Sequence, residues 1–246
     1  MLKFLFGSKT TVPDLSFLGA DMHSHLLPGL DDGLQQMEDT LHFMRRLRQM
    51  GYRKLICTPH ILSDMYPNSP ETILPRLAQV RQAVADAGMD MEVEAAAEYM
   101  IDLEFENLIA SGKPLLSFGS RNYILIEMSY VAASPNVEKV IFELQMRNLK
   151  PVFAHPERYT YYHGRFKEYE RLAELGCLLQ VNMLSLSGYY GKEVKRMGEL
   201  LFKKNMVQFL GTDMHHQRHL QMLQQLVVKK EFISMAANAE LLNNTL

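Results

Sequence analysis

The stretch 18–33, "LGADMHSHLLPGLDDG", decides how the chain reads. It begins as an apolar run of strand length, ends that run on His23 and His25, turns through Pro28-Gly29, and delivers Asp31 and Asp32 just before Gly33. Alternate residues of a strand share a face, so the two imidazoles of a His-x-His pair point the same way and can reach one ion. Alone the pair is a weak signal, because a buried histidine on a strand is more often a hydrogen-bonded core residue than a ligand. The rest of the chain gives it weight: the same succession recurs, with residues of the same chemistry at the strand ends.

Directly after this stretch, 34–50 sets Met37, Leu41, Met44 and Leu47 on one helical stripe. Further strands are predicted at 53–60, 91–99, 122–129, 150–158, 177–186 and 206–216, with helices at 70–87, 101–111, 136–148, 165–175, 192–204 and 218–242. Ser69 before Pro70 reads as an N-cap with proline at the first helical position, and a minor extended piece is expected at 114–118. Strands that alternate with helices form a parallel sheet, and continuously apolar strands have both faces covered. The reading is an α/β protein whose seven strands close into a TIM-like barrel, with one domain over 19–246 behind an N-terminal extension, 1–18. No function is assigned to that extension.

Composition agrees. With 47% hydrophobic and 22% charged residues among 246, the chain can bury a large core. A formal net charge of −2 supplies no basic field, so nucleic acid is not an expected partner. The first apolar run breaks at Gly7-Ser8-Lys9, too short for a secretion signal; Phe4, Leu5 and Phe6 read as a weakly packed terminus. No transmembrane segment is expected. Cys57 and Cys177 stand far apart in apolar surroundings, the usage of a cytoplasmic protein without disulfides.

The polar residues fall at the predicted strand ends: His23 and His25 with Asp32 in the loop behind them, then His60, Glu98, Glu127, His155, and finally Asp213 with His215. The C-terminal ends of parallel strands meet on one rim, where barrel enzymes place their chemistry. Five histidines and four carboxylates are more than one tetrahedral zinc needs. They suit two or three borderline or hard ions, such as manganese, iron or zinc. Clustered ions of this kind activate water at neutral pH and stabilise in-line displacement at phosphorus. Asp31 reads as a neighbour that shapes the loop or orients a ligand. His42, His163, His216 and His219 read as structural, surface or helix-start residues.

Arg158 follows His155 by three residues, near enough to hold a phosphate oxygen, and Arg218 is a weaker candidate for the same role. Tyr159, Tyr161 and Tyr162 either pack or stack against an aromatic substrate. Neither cysteine opens a C-x5-R loop, since Ser63 and Met183 stand where arginine would be needed. That leaves a metal route.

The motifs "HSHLLPGLDDG", "CTPH", "AAEY", "LIEM", "AHPERY", "QVNMLSLSGYYG" and "GTDMHH" occur in an order that resembles the bacterial PHP-domain tyrosine-protein phosphatases of capsular and exopolysaccharide loci, the CpsB/YwqE type. The resemblance runs from residue 19 to the final helix. It implies a distorted (β/α)7 barrel with three divalent ions, usually manganese, bound by all nine residues. His23, His25, Glu98 and Asp213 would hold one ion, Glu98, Glu127 and His155 a second, and Asp32, His60 and His215 a third. Arg158 matches the family's phosphate-contacting arginine. The catalytic candidates are Arg158, Asp213 and His215; the substrate contacts are Arg158, Arg218 and Tyr159. The implied partner is the phosphotyrosine-bearing tail of a tyrosine autokinase. Gly211-Thr212 replaces a small residue and serine often found before Asp213, a change expected to leave the ligand in place. The rival readings are a PHP phosphoesterase acting on histidinol phosphate or a similar small ester, and a non-catalytic barrel that docks a kinase tail.

Overall fold

The structure, a computed structural model, describes residues 14–246. Most of the expected extension 1–18, including Phe4, Leu5 and Phe6, lies outside the described residues. The packed body reaches back past residue 19, because Leu15 and Leu18 are buried in the main core.

In chain order the elements are β1 (Ala20–Asp21), α1 (Met37–Gln49), β2 (Lys54–Cys57), β3 (His60–Ile61), α2 (Pro70–Asp86), β4 (Glu92–Ala95) and β5 (Glu98–Met100). There follow α3 (Leu103–Ala110), β6 (Tyr123–Glu127), α4 (Val137–Met146), β7 (Lys150–Ala154), α5 (Lys167–Glu174) and β8 (Leu178–Asn182). The chain ends with α6 (Met183–Ser187), α7 (Lys192–Lys203), β9 (Phe209–Gly211), α8 (Gln217–Leu226) and α9 (Lys230–Ala237). All pairings between these strands are parallel.

The pairs β2/β3 and β4/β5 are each one strand interrupted for two residues. Lys54 pairs with Glu92 and His60 with Glu98 at the same offset, and Ala96 N donates to Cys57 O and Glu98 N to Pro59 O across the gap. Counted so, there are seven strands among the described residues. The first and last close on each other through a parallel bridge between Ser24 and Met214, with Asp213 N donating to His23 O at 2.8 Å. The expected distorted seven-stranded barrel is therefore the fold.

Alternation sorts the strands into an inner and an outer layer. Ile56, Leu125, Val152 and Phe209 pack with Met22, Phe118 and Tyr123 in a small interior core. Leu55, Cys57, Ile124, Ile126 and Phe153 face outward into the larger core beneath the helices.

Three local expectations need correction. The predicted strand 177–186 stops at Asn182, whose side chain accepts from Leu184 N at 2.8 Å and caps α6. The predicted helix 218–242 is two helices, broken around Lys229, with the β-branched pair Val227-Val228 at the break. The piece at 114–118 forms no strand and contributes only an antiparallel bridge from Phe118 to Tyr123.

Candidate metal centre

The inner faces that are apolar at the bottom of the barrel turn polar at the rim. On β6 the inward series Tyr123, Leu125 ends on Glu127; on β4/β5 Ala96 is followed by Glu98. On β7 alternation would send His155 outward, but its backbone takes the left-handed region, φ 34°, and re-aims the residue. Asp213, just past β9, is left-handed as well at φ 49°. Such conformations cost a residue with a Cβ about 1–3 kcal/mol each and persist where the surroundings impose them.

Two glycines let the histidine strand approach its neighbours. A Cβ on Gly33 would lie 2.2 Å from His25 O, and one on Gly211 would lie 2.7 Å from His23 Cβ.

All nine candidate ligands converge. His23 Nε2 and His25 Nε2 stand 3.3 Å apart, and Glu98 Oε2 lies 3.1 Å from the first and 3.4 Å from the second. Asp213 Oδ1 is 3.4 Å from both. His155 Nε2 reaches Glu98 Oε1 at 3.0 Å, and His60 Nδ1 lies 2.9 Å from Glu127 Oε1. At the open end Asp32 Oδ1 lies 3.6 Å from His60 Nε2 and 3.5 Å from His215 Nε2. Four donor groups emerge: His23-His25-Glu98, His23-His155-Asp213, His60-Glu98-Glu127, and His25-Asp32-His60-His215, each with its ligand atoms within 4.8 Å of one another. The grouping differs from the implied sharing: His60 keeps company with both Glu127 and Asp32, His25 joins Asp32, His60 and His215, and His155 groups with His23 and Asp213 rather than with Glu98 and Glu127.

The donor set fits cations on three observations. Among the described residues His60 Nδ1 is buried without a hydrogen bond although two carboxylate oxygens crowd it. His23 Nδ1 contacts Gln180 Oε1 at 2.8 Å, His25 Nδ1 contacts Asp31 Oδ2 at 2.7 Å, and His215 Nδ1 contacts Asp213 O at 2.8 Å. Each of these acceptors fixes a proton on Nδ1 and leaves the lone pair of Nε2 facing the centre, the arrangement of metal-binding histidines. The third observation is electrostatic. Burial opposes charge on Glu98, yet the nearby rings of His23 and His60 hold its carboxyl well below the usual range. Burial likewise works against protonation of His60, but Glu98 raises it to about 9. The cluster attracts positive charge, and a divalent ion competes for the places those protons occupy.

Arg158 sits beside the cluster. Its guanidinium lies 4.1 Å from the centroid of Tyr190 and 4.7 Å from that of Tyr130, and Nη1 donates to Asp213 Oδ2 at 2.8 Å. Asn182 Nδ2 donates to the same oxygen, also at 2.8 Å, which leaves Asp213 Oδ1 to face the histidines. Arg218 is exposed and rests over Tyr189 at 5.4 Å.

Tyr159 is a correction. It is fully buried, its ring packs 5.2 Å from Phe153, and its hydroxyl accepts from Met128 N at 2.9 Å, so it offers no face to a substrate. Three aromatic residues stand at the mouth instead: Tyr66 stacked on His60, Tyr190 under Arg158, and Tyr130, the most exposed of them, which the motifs did not single out. Gln180 and Asn182 were also missed. Their signal was present: two amides, two residues apart, in the otherwise apolar strand β8, whose end carries no acid or histidine.

A parallel barrel that gathers imidazoles and carboxylates around its C-terminal rim defines a metallohydrolase-type site. A family model described as "Capsular polysaccharide synthesis, CpsB/CapC" matches residues 19–243, and the chain belongs to that family. It is 31% identical over 230 residues to the tyrosine-protein phosphatase YwqE of Bacillus subtilis (strain 168), covering 90% of each chain. To the tyrosine-protein phosphatase CpsB of Streptococcus pneumoniae it is 26% identical, covering 80% of this chain and 82% of the other. The crystal structures of YwqE and CpsB, described as unique metal-dependent tyrosine phosphatases, include a chain that matches with a TM-score of 0.76 at 28% identity, over 90% of this chain and 92% of that one. Among the described residues no helix is long and apolar enough to cross a membrane.

Proposed function

We propose that the protein is a metal-dependent protein-tyrosine phosphatase, a phosphoric monoester hydrolase acting on a phosphotyrosine-bearing protein in capsular or exopolysaccharide synthesis. The observation that carries this reading is the convergence of nine ligand-type side chains beside an arginine held ready for an anion. The substrate would be the tail of a tyrosine autokinase, and the compartment the cytoplasm. His23, His25, Glu98 and Asp213, then Glu98, Glu127 and His155, then Asp32, His60 and His215 would hold three divalent ions, with manganese first among the candidates and iron or zinc behind it. Bound there, the ions supply water activation and neutralise charge that develops on the phosphoryl group.

The chain's own contribution is positional. Asp213 and the rings of Tyr130 and Tyr190 fix the guanidinium of Arg158, and the N–H groups not bonded to Asp213 are available to phosphate oxygens. Asn182 keeps Asp213 from rotating away. His215 and Asp32 stand at the solvent-facing end, where a phosphorylated side chain enters. Cys57 and Cys177 are buried, so no thiol nucleophile is offered and direct attack by water on phosphorus needs no covalent intermediate.

The test is phosphate release from a phosphotyrosine peptide, a phosphoserine peptide and histidinol phosphate, with Mn²⁺ and then with EDTA. Mn²⁺-dependent turnover of the tyrosine peptide is expected. Preference for histidinol phosphate would overturn the substrate, and no turnover despite bound metal would overturn the enzymatic reading.

A further inference from the structure

The tyrosines that follow His155 supply no ligand to the centre, although the Tyr159 ring packs 5.7 Å from His155, and two of them hold the segment that borders it. Tyr159 Oη accepts from Met128 N at 2.9 Å, and Tyr161 Oη donates to Ser129 O at 2.9 Å. The two rings stack on each other at 5.6 Å. Between them they pin the backbone just beyond Glu127, and Ser129 Oγ continues the restraint by accepting from Val131 N at 3.1 Å. The next side chain on that pinned segment is Tyr130.

Tyr130 borders the chemistry on two sides. Its ring lies under the Arg158 guanidinium and stacks on His155 at 5.7 Å and 27°. Its hydroxyl is 3.5 Å from Nδ1 and 3.4 Å from Nε2 of that imidazole. A hydrogen bond in the ring plane serves one nitrogen at a time, so the near-equal distances place the hydroxyl against the ring and leave it free for another partner. Nevertheless 46% of the residue is open to solvent, whereas Tyr159 is fully enclosed.

We infer that Tyr130 is the residue that selects an aromatic leaving group, and that Tyr159 and Tyr161 are positioning residues acting through it. The inference rests on the phosphatase reading of the same site. A phosphoryl group bound at Arg158 directs its ester oxygen outward past Tyr130. The ring of a phosphotyrosine is long and flat enough to meet that tyrosine there, and aromatic pairs add to binding beyond simple area burial. The short alkyl arm of a phosphoserine ends before it and gains nothing.

The experiment measures kcat and KM with Mn²⁺ for a phosphotyrosine peptide and for its phosphoserine counterpart, in the full chain carrying Tyr130→Leu, Tyr130→Phe or Tyr161→Phe. For Tyr130→Leu the ratio of the two kcat/KM values is expected to fall about tenfold, mostly through KM for the aromatic substrate. Tyr130→Phe should restore the ratio to within about twofold, because the ring face is kept. Tyr161→Phe should lower the ratio by a smaller factor while leaving phosphoserine turnover in place.

A second readout does not need turnover. The chain contains no tryptophan, so Tyr130→Trp installs a unique fluorophore. Benzylphosphonate should shift or quench its emission at concentrations where ethylphosphonate does not. If Tyr130→Leu slows both peptides equally, or if the two phosphonates act alike on Tyr130→Trp, the inference fails while the phosphatase reading stands. Failure of the unaltered protein to turn over the phosphotyrosine peptide would instead sink the phosphatase reading, and the inference with it.

Discussion

Gln180 Oε1 lies 2.8 Å from His23 Nδ1, and the same oxygen is within 3.4 Å of His155 N. One neutral amide on β8 thus sets the tautomer of a histidine on the first strand and steadies the left-handed turn that carries another. Replacing Gln180 by Leu removes the acceptor without touching any ligand. Metal affinity should fall about 10- to 100-fold. Equilibrium dialysis of Mn²⁺ against the variant checks this, with the far-ultraviolet circular dichroism unchanged.

Gly211, the last residue of β9, lies close against His23. In Gly211→Ala the new methyl would sit 2.7 Å from His23 Cβ and 2.8 Å from Gln180 Nε2. Both neighbours belong to the site and neither can yield without moving a ligand. Bound metal per chain should drop, and thermal stability should decline even in excess Mn²⁺, as in other overpacked cores that lose about 1–3 kcal/mol.

Arg158→Lys keeps the charge but loses the planar fork and the stacking between Tyr130 and Tyr190. With a phosphotyrosine peptide, kcat should fall by roughly 10²-fold, the scale seen when one preorganised donor is removed. Metal content should be unaffected. A variant that kept near-normal kcat would show that Arg158 serves only as a partner for Asp213.

Glu157 gives a pH-dependent prediction. The residue is wholly buried; Oε1 accepts from Ser185 Oγ and Asn182 N, while Oε2 has no partner among the described residues. Burial pushes its carboxyl up to about 7. The folded state therefore holds this proton more tightly than the unfolded chain does, and its contribution to stability, full below pH 4.5, is lost as pH rises to about 7. Glu157→Gln carries no such dependence. Urea denaturation should find the two proteins alike at low pH and the variant more stable at high pH, by up to roughly 3 kcal/mol. A difference that did not change with pH would refute the assignment.

Both thiols should be inert in the native protein. Burial pushes Cys57 up to about 12 and raises Cys177 as well. Iodoacetamide should leave activity and mass unchanged until denaturant is added. Rapid inactivation under native conditions would contradict this.

Much of this architecture was legible from residue order. Strand ends are marked where an apolar run meets His, Asp or Glu, so the barrel and the nine rim residues follow from pattern. Alternation phases side chains only while the backbone stays extended. His155 breaks that phase with its left-handed turn, and so Tyr159 could not be placed by counting. Tyr130 lies on a segment with no periodicity, pinned by hydroxyls from 31 and 32 residues downstream. Gln180 and Asn182 were visible but chemically neutral, and only the geometry shows that one orients His23 and the other anchors Asp213.

The seam between the first and last strands has a further consequence. At the rim it is knit by His25 N on Met214 O and Asp213 N on His23 O; lower down, Asn243 Nδ2 bridges Ala20 O and Leu210 O. Segments nearly the whole chain apart must meet before the barrel exists. During translation the first two histidines emerge from the ribosome long before Asp213 and His215, so a growing chain carries only fragments of the donor cluster. A chain that ended before the last strand would have neither a closed barrel nor a complete set of ligands.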